Sequence, residues 1–216
     1  MDLLSLLKHL LFLPALFAWW RVGPLRPRWA QWAGVQLLAS IAMEVIGLST
    51  RLQGINNQWM YNVYLVVEFT TLCAMILCLA PDRNRALVRT VVGGVVYAVA
   101  VVVNVRSNGS VRVFASQALL VGGLVLALLA LVVMYRLADT STVRLARLPA
   151  FWMLLSVMLY FLCIIPVFGL HNYFAARNPQ LARLIYPMND VLFMLRYGLF
   201  AWSMVLLRGT LIPRHR

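Results

Sequence analysis

Two residues of this 216-residue chain stand where ionised side chains are costly. Glu68 closes the polar stretch Asn56-Asn57-Gln58-Trp59-Met60-Tyr61-Asn62-Val63-Tyr64 and leads straight into the apolar run Phe69–Leu79. Arg196 lies inside a second apolar run that opens at Pro187, about 13 Å in at the helical rise of 1.5 Å per residue. Glu68 is about as deep from the start of its own helix. A buried carboxylate or guanidinium alone costs several kcal/mol, so matching depth on two helices predicts an ion pair. Such a pair either pins the two helices together or acts as a charged element that a ligand can disturb.

The neighbours are spaced to share faces with it. Asn57, Tyr61, Tyr64 and Glu68, at offsets of four, seven and eleven, fall on one helical stripe. Asn189, Phe193, Arg196, Phe200 and Ser203 form another, Trp152, Ser156, Tyr160 and Cys163 a third, and Ser40 and Glu44 lie one turn apart on a fourth helix. Glu44 is about 7 Å from the end of its helix by the same rise. Inward-facing polar stripes on four helices predict a bundle with an outward-opening polar pocket. The candidate ligand-binding or polar-core residues are therefore Glu68, Arg196, Glu44, Asn57, Tyr61, Asn62, Tyr160, Asn189 and Asp190. Plainer roles compete for several of them. Asn189 and Asp190 suit the first turn of a helix, where amides and acids cap and complement the dipole. Trp59 and Tyr61 suit a membrane-interface belt, and Asn62 an interhelical hydrogen bond. The Gly93-Gly94 and Gly122-Gly123 pairs are simplest as points of close helix packing.

The elements that must hold these residues follow from composition. The chain is 63% hydrophobic and 12% charged, with a mean hydropathy of +0.85. Soluble domains carry about twice that charged fraction, so the chain belongs to the membrane class. About 20 residues span the hydrocarbon, and on that ruler there are seven candidate spans, at about 3–20, 29–48, 59–79, 86–105, 113–135, 149–170 and 187–207. The expectation is a single all-α polytopic transmembrane bundle of seven helices, or six if the first is not a span, with no soluble domain. The first is interrupted by Lys8 and His9. Its apolar part, Leu10–Trp20, has signal-peptide length, but Asp2 and the Trp19-Trp20 end argue for a retained helix, with Lys8 snorkelling and the tryptophans as a belt. Residues 106–112, with Asn108-Gly109, read as a tight turn, and 171–186 as the longest outer loop.

The formal net charge of +13 comes from 18 arginines and one lysine against six acids. Arg21, Arg26, Arg28, Arg83, Arg85, Arg89, Arg136, Arg144, Arg147, Arg208, Arg214 and Arg216 fall on one side. Lys8, Arg51, Arg106, Arg112, Arg177 and Arg183 fall on the other, so the split is twelve to six. The positive-inside rule then places the C-terminus in the cytoplasm and the N-terminus outside. The expected partners are anionic lipid headgroups on the cytoplasmic side and a protein effector, not nucleic acid. Cys73, Cys78 and Cys163 lie in apolar runs, and His9, His171 and His215 are scattered, so neither a metal nor another cofactor is expected. No zinc-protease, nucleophile-elbow, phosphate-loop or dinucleotide motif occurs, so an enzyme is not the first expectation.

The run Asn57-x-x-x-Tyr61-Asn62-x-Tyr64-x-x-x-Glu68-Phe69, with Phe151-Trp152 and Tyr160, resembles small uncharacterised bacterial seven-helix proteins. In architecture these resemble the seven-helix membrane sensor regions of histidine kinases. The resemblance implies a bacterial inner-membrane sensor or receptor subunit. Lacking an output domain, it would signal through a separate partner. A small transporter or ion and proton conductor using Glu44, Glu68 and Arg196 is the alternative, and an intramembrane lipid-modifying enzyme using Glu44, Glu68 and Asp190 a third reading.

Overall fold

Prolines and turn residues punctuate the apolar runs, and the helices begin where they stand. The computed structural model describes Leu7, residues 9–108, 114–185 and 187–211, and these contain helices and turns but no strand. In chain order the helices are α1 (Phe12–Arg21), α2 (Arg28–Leu52), α3 (Gln58–Leu79), α4 (Arg83–Asn108), α5 (Ser116–Thr140), α6 (Pro149–Arg177), α7 (Pro179–Ile185) and α8 (Pro187–Leu211). A single 3-10 turn, Leu145–Arg147, precedes α6. Helices α6, α7 and α8 each open on a proline, whose missing N–H costs nothing in a first turn. Asp82 caps α4 by accepting the Arg85 N–H at 3.2 Å. Gly54, at φ +69°, supplies the left-handed step that turns the chain from α2 into α3.

Helices α2 to α6 and the stretch Pro179–Leu211 are long and apolar enough to cross a membrane. The chain is thus a multi-helix bundle of the membrane type. Neighbours in the chain are mostly neighbours in space, as in α2 with α3, α4 with α5 and α5 with α6, and α6 then packs on α8. The ten-residue α1 packs against α8 and α2 and so joins the two ends of the bundle. Phe12 of α1 meets Phe193 and Tyr197 of α8 at ring-centroid distances of 5.4 and 5.0 Å.

Three expectations change. Residues 171–185, read as loop, are mostly helical: α6 continues to Arg177 and α7 follows. No glycine or proline interrupts the chain between Gly169 and Pro179, so polarity there signalled emergence from the apolar layer rather than a break. Trp19, expected to face the interface with Trp20, packs instead against the start of α2. Its indole donates to the Ala30 carbonyl at 2.8 Å, lies against Gly34 and carries Arg26 over its ring at 4.0 Å, leaving Trp20 exposed. Helices α2 and α4 also run past the expected ends, covering 28–52 rather than 29–48 and 83–108 rather than 86–105. Lys8, Arg112, Arg214 and Arg216 of the charge count, the residues before Leu7 and Gly109 of the expected turn lie outside the described residues.

The glycines mark where helices touch. A Cβ on Gly122 would lie 2.7 Å from the Tyr97 ring and one on Gly123 2.9 Å from Phe161, whereas one on Gly94 would meet nothing within 4 Å. Tyr97 cannot retreat, because Phe69 is stacked on its ring at 4.1 Å. Gly122→Ala is expected to destabilise by about 1–3 kcal/mol through overpacking. Gly94→Ala, which only improves helix propensity, should be neutral or stabilising by up to about 1 kcal/mol. Thermal unfolding of the two variants in detergent checks the contrast.

Candidate functional site

The α3 stripe lies along α2 like the two sides of a zipper. At one end the Asn57 amide donates to the Gly47 carbonyl at 3.1 Å and to the Thr50 hydroxyl at 3.0 Å. One turn on, Tyr61 fills the space left by the absent side chain of Gly47, where a Cβ would stand 2.5 Å from its hydroxyl. Further in, Tyr64 and Ser40 hydroxyls are 2.6 Å apart. At the deepest level Gln36 donates to Glu68 Oε1 at 3.2 Å and accepts from Thr71 at 2.5 Å. Helical spacing on two antiparallel helices produces this register directly.

The α8 side completes the site. Arg196 Nη1 donates to Glu68 Oε1 at 2.6 Å, with both side chains buried. The guanidinium carbon stands 4.7 Å from the Tyr160 ring centroid, and 5.5 Å from those of Phe161 and Tyr197. Aromatic faces carry partial negative charge, so these rings supply part of the solvation the buried cation has lost. Tyr197 donates to Ser40 at 2.5 Å, and Tyr64 reaches Glu68 Oε1 at 3.3 Å. Each hydroxyl has one proton to give. Ser40 gives its proton to the Gln36 carbonyl at 2.9 Å, so Tyr197, Ser40 and Tyr64 form a hydroxyl cluster beside Glu68, which accepts only. Arginine, amide and hydroxyl donors thus converge on one carboxylate oxygen.

Other sequence candidates are distributed around this centre. Tyr160 joins it through its ring. Glu44 is held by His9, Nε2 to Oε2 at 3.3 Å, at a more exposed position. Asn57 and Tyr61 bind the end of α2, as described. Asn62 Oδ1 accepts the Ala115 N–H at 2.8 Å and so serves the start of α5. Asn189 and Asp190 lie in the first turn of α8, where Asn189 Oδ1 is buried with no hydrogen-bond partner among the described residues.

Sequence reasoning missed Gln36, Thr71, Tyr97, Asn104 and Tyr197. Gly93, Tyr97 and Asn104 are four and eleven residues apart along a valine-rich helix, a stripe of the same kind as that on α3, and that spacing was the available signal. Tyr97 and Asn104 line a cleft of about 300 Å³ between α3, α4 and α5, together with Trp59, Asn62, Val66 and Val101. Asn104 Oδ1 accepts the Gln117 N–H at 3.2 Å, so the two cleft amides satisfy orphan donors at the α5 N-terminus. Tyr97 is only 6% exposed, and its hydroxyl has no hydrogen-bond partner among the described residues. On its other side a gap of about 10 Å³ is lined by Tyr97, Glu68, Phe69 and Phe161 among others. Tyr97 therefore stands between the cleft and the buried carboxylate.

Comparison of the chain with protein-family models, curated proteins and solved structures finds no match.

Removing one partner of a buried pair strands the other, at a cost of about 3–5 kcal/mol. Glu68→Gln and Arg196→Gln should each show losses of that order, while the double variant should lose less than their sum by about 0.5–3 kcal/mol. Denaturant-induced unfolding of the four proteins in micelles measures this coupling.

Proposed function

We propose that the chain is a sensor or receptor subunit of a bacterial inner membrane. It binds a small amphipathic molecule in the α3/α4/α5 cleft and signals through a separate protein. The basic residues divide twelve to six between the two sides, which supports a cytoplasmic C-terminus. On that orientation the cleft opens toward the outer side, because it lies at the start of α3 and the end of α4. The observation that carries the reading is Tyr97, a residue lining the cleft whose buried hydroxyl has no hydrogen-bond partner among the described residues. An unmade buried hydrogen bond costs about 1–3 kcal/mol, which a ligand with one polar group and an apolar body recovers on binding.

Tyr97 also couples the cleft to the centre of the bundle. It shares the small gap with Glu68, so drawing its ring toward a ligand changes the packing beside the carboxylate. Glu68 in turn holds Arg196 of α8. The proposed signal is a loosening of that hold and a shift of α8. Continuous helices favour this over transport, whose sites are typically built from broken helices. Helices α3 and α8 run unbroken past Glu68 and Arg196.

Thermal unfolding in detergent with a panel of medium-chain alcohols, amides and carboxylic acids tests binding. At least one class should raise the melting temperature of the native protein, and Tyr97→Phe should cut that shift by at least about half, while leaving the ligand-free protein no less stable. A panel that stabilises both proteins equally, or neither, rules the cleft out as the binding site.

A further inference from the structure

A second cleft lies at the opposite ends of the same three helices, where α3 finishes, α4 begins and α5 finishes. Its volume is about 210 Å³. Three guanidinium-bearing residues line it, Arg85 and Arg89 from successive turns of α4 and Arg136 from the last part of α5, all exposed. Asp82 is the opposing charge and pairs with Arg85 at 3.1 Å. Three cations against one anion leave the mouth with a formal charge of +2. The positive end of the α4 dipole adds to it. Below the mouth the walls turn apolar, with Ile76 of α3 and Leu129, Val132 and Val133 of α5.

Position decides what such a cleft receives. Helices α3, α4 and α5 are each long and apolar enough to cross a membrane, and α4 is the least buried of the six such stretches. The end of a span is the level of lipid headgroups, and α4 presents most of its surface to acyl chains. A soluble anion matches the arginines but leaves the apolar floor unfilled. A neutral or zwitterionic lipid matches the floor, but a quaternary ammonium group does not suit a mouth charged +2.

We infer that this cleft binds one anionic phospholipid, its phosphodiester between Arg89 and Arg136 and an acyl chain against Leu129 and Val132. Arg85, already engaged by Asp82, frames the mouth. The site is distinct from the cleft at the other end of the three helices and does not depend on what binds there. Its geometry ties α4, which otherwise packs mainly on α5, to its neighbours through the lipid.

Native mass spectrometry of the full chain, released from micelles containing equal phosphatidylglycerol and phosphatidylcholine, tests the inference. The native protein should retain phosphatidylglycerol in preference by about five-fold or more, the selectivity that a few basic residues near a membrane surface give. Arg89→Gln with Arg136→Gln should bring the preference below about two-fold. Val132→Trp, which fills the apolar floor and leaves every charge in place, should do the same. Arg144→Gln with Arg147→Gln, on the basic connection outside the cleft, should leave it unchanged. A preference that survives both cleft variants overturns the inference, as does its absence in the native protein. Displacement of the lipid by millimolar glycerol 3-phosphate also overturns it, because the site would then recognise a free anion.

Discussion

The bundle is arranged around the cost of keeping Glu68 and Arg196 away from water. Neither charge is tolerable alone at that depth, and a bare pair would still leave lone pairs and N–H groups unsatisfied. Gln36, Tyr64, Thr71, Ser40 and Tyr197 answer part of that requirement with hydrogen bonds, and the rings of Tyr160, Phe161 and Tyr197 answer another part with their faces. These groups come from α2, α3, α6 and α8, so the positions of four helices are constrained by one carboxylate. Helix α1, though short, covers Tyr197 with Phe12 and closes the site from the remaining direction.

The same closure separates stability from recognition. The direct 2.6 Å contact between Arg196 and Glu68 is a packed core element. The open spaces lie to either end of α3, α4 and α5, and their linings differ in kind. One has amides, an indole and a buried phenol, and the other has arginines above an aliphatic floor. Tyr97 connects the first to the core because Gly122 lets its ring approach and Phe69 holds it there. A small residue on α5 thus sets how near a cleft-facing side chain comes to the central charge.

Much of this was legible in the chain. The offsets of Asn57, Tyr61, Tyr64 and Glu68 placed all four on one face, and that face does run along α2. The depth argument matched Glu68 to Arg196, and the glycine pair at 122–123 marked close packing. The errors have physical causes. Gln36 is a lone amide in an apolar run and Thr71 the second of two adjacent threonines, and nothing local tells which such side chain faces lipid and which a partner. Tyr97 was masked by the valines around it, whose exposed faces dominate the helix's composition. The ion pair of Glu44 with His9 was not foreseen either, because His9 lies in the stretch before α1 that its charges had made hardest to read.

By itself, then, the chain's pattern of apolar runs, prolines and basic segments determined that it forms membrane-length helices and roughly where they begin and end. Backbone hydrogen bonding inside an apolar layer admits little else, and that constraint is local. Apart from the depth match of Glu68 with Arg196, which polar stripes meet was decided only by the tertiary structure. Helices of similar hydropathy can be exchanged around a bundle without altering any local signal. Their order depends on glycine-sized gaps, ring contacts and hydrogen bonds between residues such as Gln36 and Thr71, or Tyr197 and Ser40, that are 35 and 157 positions apart.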